Sequence, residues 1–172
     1  MATWLTECEV RESGASNRDL SGLTLNVAFL NDIKQGSKKP EELIRDIRAS
    51  LVENLALDPA KLISQMHALR DELETYFTLE EFYGYFESAQ LVQPSVSRYA
   101  TSLQSQHEQI YLDICALIDV AEGALYGETD LDDTLSILVP GFSAFTQTFL
   151  RHEQEEFDLM MQLCNQELGV GG

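Results

Sequence analysis

Two polar side chains near the C-terminal end of the chain, His152 and Glu156, are spaced so that they can act together. Four residues correspond to about 40° of arc on an α-helix, so both side chains leave one face, a turn apart. Apolar residues fall near this face at helical spacing, namely Phe145, Phe149, Leu159 and Leu163. The face should therefore point into a core, where a histidine and a carboxylate must be paired, neutralised or bound to a metal. Taken alone, the two residues fit a simple His–Glu pair as well as a metal site.

Two earlier segments also carry polar residues on apolar stripes. Tyr76 and Glu80 lie four residues apart in one segment, and His107 lies within the apolar stripe of the next. Metal sites in helical bundles are built in this way, from histidines and carboxylates on facing helices. Imidazole and carboxylate together suit iron, zinc or manganese, and iron is favoured where coordination positions remain open.

The elements that must position these residues are helices. Apolar residues recur at helical spacing in five segments, approximately 20–35, 43–55, 60–89, 95–125 and 131–168. Asp58 should cap the third segment, with Pro59 at its first position. Pro140 should kink the last helix or end a short helix that precedes it. Alternating apolar and polar residues bounded by hairpin turns are absent from the sequence, so the fold class is all-α.

The natural packing of long amphipathic helices is an up-down-up-down four-helix bundle. We predict such a bundle over residues 21–172, with short extra helices and an N-terminal arm formed by residues 1–20. Residues 20–35 and 43–55 are either two helices or one long bent helix, because the sequence GSKKP interrupts the pattern between them.

Charge and composition exclude several classes of partner. The 172 residues carry 29 acidic and 11 basic side chains, a net charge of −18, which disfavours nucleic acid and anionic membranes. The same acidity suits a protein that gathers cations, although solvated helix faces also explain it. The sequence shows neither a membrane span nor a secretory signal, and its three cysteines form no CxxC motif. We therefore expect a cytoplasmic protein; its protein partner cannot be read from the sequence.

Three phrases of the sequence resemble a known family. LRDELETYFTLEEFYGYFE (69–87), SLQSQHEQIY (102–111) and FLRHEQEEFDLM (149–160) resemble the second, third and fourth helices of hemerythrin-like (HHE) domains, and their order and separations agree with that family. The resemblance covers about residues 22–169. It implies a four-helix bundle that holds a pair of iron ions bridged by carboxylates, and that binds oxygen, senses oxygen or senses iron.

The resemblance also implies a set of metal ligands. Glu80 matches the bridging carboxylate of the family's second helix, and His107 matches the histidine of its third helix. His152 and Glu156 match the histidine and glutamate of its fourth helix. Four candidates suffice for one ion, or for an incomplete iron pair if Tyr76 or solvent fills the gaps. Zinc is an alternative to iron.

Two family positions lack their histidine. Tyr76 stands at the second-helix position. Three roles are open to it: a phenolate ligand, a hydrogen-bond donor, or a ring that fills the cavity. The first helix offers only Asp32 and Asn26 as substitutes. His67 lies nine residues from Tyr76, about half a turn out of phase, so we expect it at the surface or its boundary. Glu81, about 100° around the helix from Glu80, should point outward.

Three hypotheses follow from these residues. The first is an iron-binding, hemerythrin-like protein with a partial site, used in oxygen or iron sensing or in storage. The second is a metal-free bundle of the same fold that acts as an interaction or sensory module. The third is an oxidase or peroxidase, which the missing ligands disfavour. Other catalytic signatures, such as GxSxG, the P-loop and GxGxxG, are absent from the sequence.

Overall fold

The computed structural model describes residues 38–52, 58–82 and 94–169, and every segment is helical. The helices are α1 (Lys38–Val52), α2 (Pro59–Phe82), α3 (Pro94–Leu125) and α4 (Leu131–Gly169). The prediction of an all-α four-helix bundle is confirmed. The predicted N-terminal arm, the helical pattern at 20–35 and the side chain of Leu163 lie outside the described residues.

Side-chain caps set the starts of α2 and α4. Asp58 Oδ1 accepts hydrogen bonds from the backbone N–H groups of Ala60 (3.0 Å) and Lys61 (3.3 Å), so the predicted cap before Pro59 is confirmed. Asp130 Oδ1 accepts from the N–H of Asp132 at 2.9 Å. In both cases the carboxylate satisfies amide groups that the first helical turn leaves without an intrahelical partner.

A glycine ends α3 and allows the chain to reverse. Gly127 has φ of 73°, the left-handed conformation that glycine adopts without steric cost. Its N–H donates to the carbonyl of Ala124 (3.2 Å), and the N–H of Glu128 donates to the carbonyl of Gly123 (2.9 Å). This pair of bonds is a Schellman motif, and it brings α4 back alongside α3 after five residues.

Each helix packs against its neighbours in sequence, and α1 also contacts α4, which closes the ring. Lys39 near the start of α1 bonds to Glu72 far along α2, whereas Ser50 near the end of α1 bonds to Gln65. These two helices are therefore antiparallel.

The other helix pairs repeat the same pattern. His67 of α2 bonds to Glu122 near the end of α3, whereas Glu81 at the end of α2 bonds to His107. Tyr99 near the start of α3 donates to the carbonyl of Glu155 near the end of α4. The predicted up-down-up-down arrangement is thus present in the described helices.

Pro140 does not end a helix, contrary to one of the two outcomes that we predicted for it. α4 continues from Leu131 through Pro140 to Gly169. The apolar stripe runs unbroken across the proline, through Leu135, Leu138, Phe142, Phe145 and Phe149, all buried. Because burial of this stripe favours a continuous helix, it outweighs the backbone hydrogen bond that proline removes. The adjacent Gly141 permits close approach, since a Cβ there would lie 2.7 Å from Leu117 Cδ2.

Apolar side chains from all four helices fill the interior. The fully buried members include Ile47 of α1, Leu69 and Leu73 of α2, Ile110 and Ile114 of α3, and Phe142 and Phe149 of α4. None of the described helices is long and apolar enough to cross a bilayer.

Candidate metal centre

Four polar side chains from three helices meet inside the bundle. They are Glu80 of α2, His107 of α3, and His152 and Glu156 of α4, and each offers one potential ligand atom within 4.8 Å of every other. Glu80 and His107 are each 3% exposed, and His152 and Glu156 are fully buried. Elsewhere in the described ranges, no other group of at least three His, Cys, Asp or Glu side chains has this property.

The distances between these atoms resemble those around a metal ion. His107 Nε2 lies 3.5 Å from both Glu80 Oε2 and Glu156 Oε1, and His152 Nε2 lies 3.3 Å from Glu156 Oε1. Two ligand atoms about 2.1 Å from one ion at a tetrahedral angle would be about 3.4 Å apart. All four candidate ligand atoms lie within 4.8 Å of one another, and two opposite ligands of one ion would be roughly 4.2 Å apart, so the cluster is compact enough to hold a single ion.

The outer nitrogen of His107 is held by a carboxylate. His107 Nδ1 lies 3.0 Å from Glu81 Oε1. The Glu81 side chain is 43% exposed, so it sits toward the surface as predicted, yet its carboxylate reaches back to the buried ring. A carboxylate oxygen accepts hydrogen bonds, so Nδ1 donates in this contact, and Nε2 on the other side of the ring faces Glu80 and Glu156.

The outer nitrogen of His152 is held by an amide. His152 Nδ1 lies 3.0 Å from Gln106 Oε1, and Gln106 Nε2 donates to Glu155 Oε2 at 3.0 Å. Because Glu155 takes the NH₂ end of the amide, the oxygen end faces His152 and accepts from its Nδ1–H. The Nε2 of His152 therefore faces the interior, where Glu156 lies.

The cluster is enclosed by apolar and aromatic groups. The ring of Phe77 stacks on His107, with centroids 4.1 Å apart and planes 9° from parallel, and meets His152 edge-on at 5.8 Å. The two imidazoles meet edge to face at 4.9 Å. Leu103, Ile110 and Leu159 are fully buried nearby along the same helices. Charges in such a setting are poorly screened by water, so the site favours whatever balances its carboxylates.

Tyr76 lies beside the cluster, one turn before Glu80, and is 4% exposed. Burial raises the pKa of its phenol well above the ordinary value, and the negative charges of Glu80, Glu153 and Glu156 act in the same direction, as does a hydrogen-bonding interaction with Glu80. The hydroxyl therefore keeps its proton at neutral pH. In the absence of a metal, this state fits two of the predicted roles, a hydrogen-bond donor and a ring that fills the core.

The other histidine lies apart from the cluster. The His67 side chain is 34% exposed and pairs with Glu122 on α3 at 2.9 Å. The prediction that His67 lies at the surface or its boundary is confirmed. Asp32 and Asn26, the suggested substitutes for a first-helix histidine, lie outside the described residues.

Sequence reasoning missed the residues that hold the two imidazoles in place. Gln106 and Glu155 were not singled out, and Glu81 was interpreted only as an outward side chain. Gln106 precedes His107 in the chain but contacts His152, 46 residues away. The sequence offered only a weak signal for these residues, because they are polar side chains beside an apolar stripe that already contains a histidine.

Comparisons with known proteins identify no relative. No protein-family model, curated protein or solved structure matches this chain.

Proposed function

We propose that this protein is a hemerythrin-like, non-haem iron-binding bundle whose partial site consists of Glu80, His107, His152 and Glu156. The observation that carries the proposal is the convergence of these four buried side chains, from three helices, to within 4.8 Å. The resemblance of the three helical phrases to hemerythrin-like domains supports it independently, because the same four positions match that family's ligands.

Charge balance favours a cation at this point. With both carboxylates ionised and both imidazoles neutral, the four side chains would carry two negative charges in an enclosed space. Burying such charges without compensation is costly, and removing them from water is tolerated when they are paired or coordinate a metal. A divalent cation would balance both charges and would accept the lone pairs of the two Nε2 atoms.

The donor set favours iron over the alternatives. Calcium and magnesium prefer oxygen ligands, and thiolate-rich zinc sites need cysteines that this cluster lacks. Two imidazoles and two carboxylates suit iron, manganese or zinc, and four protein donors leave open positions on a six-coordinate ion. Zinc in a closed tetrahedral arrangement is the main competitor, and it would bind without redox chemistry.

The missing imidazoles bear on the role of the site. Tyr76 occupies the position where the family has a second-helix histidine, so the site lacks that imidazole. We therefore propose sensing of iron or oxygen rather than reversible oxygen carriage. A single compact cluster suits one ion, or an incomplete pair, per chain and is poorly suited to bulk storage.

Elemental analysis tests the proposal. The full chain is purified from iron-supplemented cells, and a second sample is reconstituted anaerobically with Fe(II) after chelation. We expect close to one iron per chain, or two if the pair forms, and loss of most of this metal in His152→Ala. His67→Ala is the matched control, because it removes a histidine that lies outside the cluster.

Three results would count against the proposal. Wild-type protein without metal after both treatments would exclude a metal-binding role. Metal content that is the same in wild type and His152→Ala would place the ion elsewhere. If the protein is reconstituted with equal amounts of iron and zinc and then contains stoichiometric zinc and no iron, the proposed site stands but its metal is not iron.

A metal-free interaction or sensory module remains the second candidate. The specific observation in its favour is Tyr76, whose buried ring takes up space beside Glu80. In this case the four polar side chains form a buried network, which must be fully hydrogen-bonded to be tolerated. It predicts that Glu156→Gln lowers the stability of the protein and that added metal changes nothing.

A further inference from the structure

Each imidazole of the cluster is bonded on its outer side to a residue that lies outside the four converging side chains. Glu81 holds His107, and Gln106, oriented by Glu155, holds His152, with both contacts to Nδ1 at 3.0 Å. A histidine that binds a metal commonly donates its other N–H to a carboxylate or a carbonyl, which fixes both the tautomer and the ring orientation. Both rings here have that arrangement.

We infer that Glu81 and Gln106 are positioning residues that hold the rings of His107 and His152 by Nδ1, so that both Nε2 atoms face the carboxylates of the cluster, where a metal would bind. This inference deepens the proposed function and rests on it for its metal-binding consequence. The hydrogen bonds at Nδ1 are a property of the metal-free protein, and they can be measured without a metal.

The two positioning residues differ in charge. Glu81 offers His107 a carboxylate, which makes the ring a stronger electron donor when Nδ1–H is polarised. Gln106 offers His152 a neutral carbonyl oxygen. The carboxylate of Glu155 does not contact the ring through this amide but accepts a hydrogen bond from the amide's NH₂ group. Removing the charge at Glu81 should therefore weaken metal binding even if the hydrogen bond is kept, whereas His152 depends mainly on the orientation of the Gln106 amide.

Nitrogen-15 NMR of the metal-free full chain tests the hydrogen bonds at Nδ1. The chain has three histidines, so single substitutions assign every ring. We expect a protonated, hydrogen-bonded Nδ1 in both His107 and His152. Glu81→Ala should shift the Nδ1 signal of His107 and leave that of His152 unchanged, and Gln106→Ala should have the converse effect. A wild-type Nδ1 without a proton at either ring would overturn the inference, as would variants that leave both Nδ1 signals as they were.

Metal affinity gives the second readout. A competitive chelator titration with Fe(II) or Zn(II) should show affinity lowered about 10–100-fold in Glu81→Ala and in Gln106→Ala. Glu81→Gln, which keeps an acceptor but loses the charge, should fall between wild type and Glu81→Ala. Glu108→Gln is the matched control, because it removes a carboxylate adjacent in sequence to His107 that is exposed in the structure. Circular dichroism confirms that each variant is folded.

The two experiments separate failure of this inference from failure of the proposed function. If wild-type protein binds no metal, the proposed function is wrong, and the Nδ1 signals alone decide whether Glu81 and Gln106 position the rings. If wild type binds metal and both alanine variants bind it equally well, the metal site stands and the positioning roles are refuted.

Discussion

Replacing Glu156 with glutamine should separate the effect of the buried carboxylate on stability from its effect on metal binding. Glu156 is fully buried, and its Oε1 lies 3.3 Å from His152 Nε2 and 3.5 Å from His107 Nε2. Glutamine has nearly the same shape but no charge and is a poor metal ligand. We expect the metal-free variant to be at least as stable as metal-free wild type, because it no longer buries a carboxylate next to another acidic side chain.

With metal bound, we expect wild type to be more stable than Glu156→Gln. A ligand that binds only the folded state adds RT ln(1 + [L]/Kd), about 2.7 kcal/mol when its concentration is 100 times Kd. If Glu156→Gln weakens binding about 100-fold, the same concentration adds only about 0.4 kcal/mol. For a domain of this size, about 1 kcal/mol corresponds to roughly 2–4 °C in Tm, so metal should raise Tm by about 5–11 °C in wild type but by only about 1–2 °C in the variant.

The assay is thermal unfolding followed by circular dichroism, with and without Fe(II) under anaerobic conditions, at a metal concentration chosen from the wild-type titration. His67→Ala serves as the reference and should respond to metal as wild type does. Equal shifts in wild type and Glu156→Gln would refute the assignment of Glu156 as a ligand. A metal-free variant that is several degrees less stable than metal-free wild type would instead show that the carboxylate is part of a satisfied structural network.

Three further predictions concern the cap, the turn and the neighbouring phenol. Asp58→Ala should lower the free energy of unfolding by about 1 kcal/mol in urea titrations, because two amide groups at the start of α2 lose their acceptor. Gly127→Ala should lower it by about 1–2 kcal/mol, since a side chain is strained at a φ of 73°. Gly123→Ala, in the interior of α3 with its nearest contact at an ordinary 3.5 Å, should be neutral or stabilising. Tyr76→Phe should leave the iron content unchanged, because the four side chains that converge to form the proposed site do not include the phenol.

Each of these has an outcome that contradicts it. Unchanged stability of Asp58→Ala would mean that water replaces the cap at no cost. A Gly127→Ala protein as stable as Gly123→Ala would show that the turn relaxes to a different conformation. A visible tyrosinate-to-iron absorption band in the loaded wild-type protein, lost in Tyr76→Phe, would establish Tyr76 as a ligand.

The sequence by itself determined the helices and the residues that meet between them. Periodicity and caps located α2, α3 and α4, because these signals depend on residues within one or two turns of each other. The pairing of His152 with Glu156 followed from the same local geometry, since four residues always place two helical side chains on one face. The inward positions of Glu80 and His107 could also be read, because each shares its stripe with apolar residues.

Only the tertiary structure decided which side chains support the cluster. Glu81 lies on an outer face of α2, and the length of its side chain lets it reach a ring on α3. Gln106 is adjacent to His107 in sequence but serves His152, because the antiparallel packing of α3 and α4 places its amide next to that ring. The continuity of α4 through Pro140 was likewise decided by packing, since burial of a long apolar stripe outweighs a local break. Such contacts depend on the rotation and separation of neighbouring helices, which local sequence patterns do not encode.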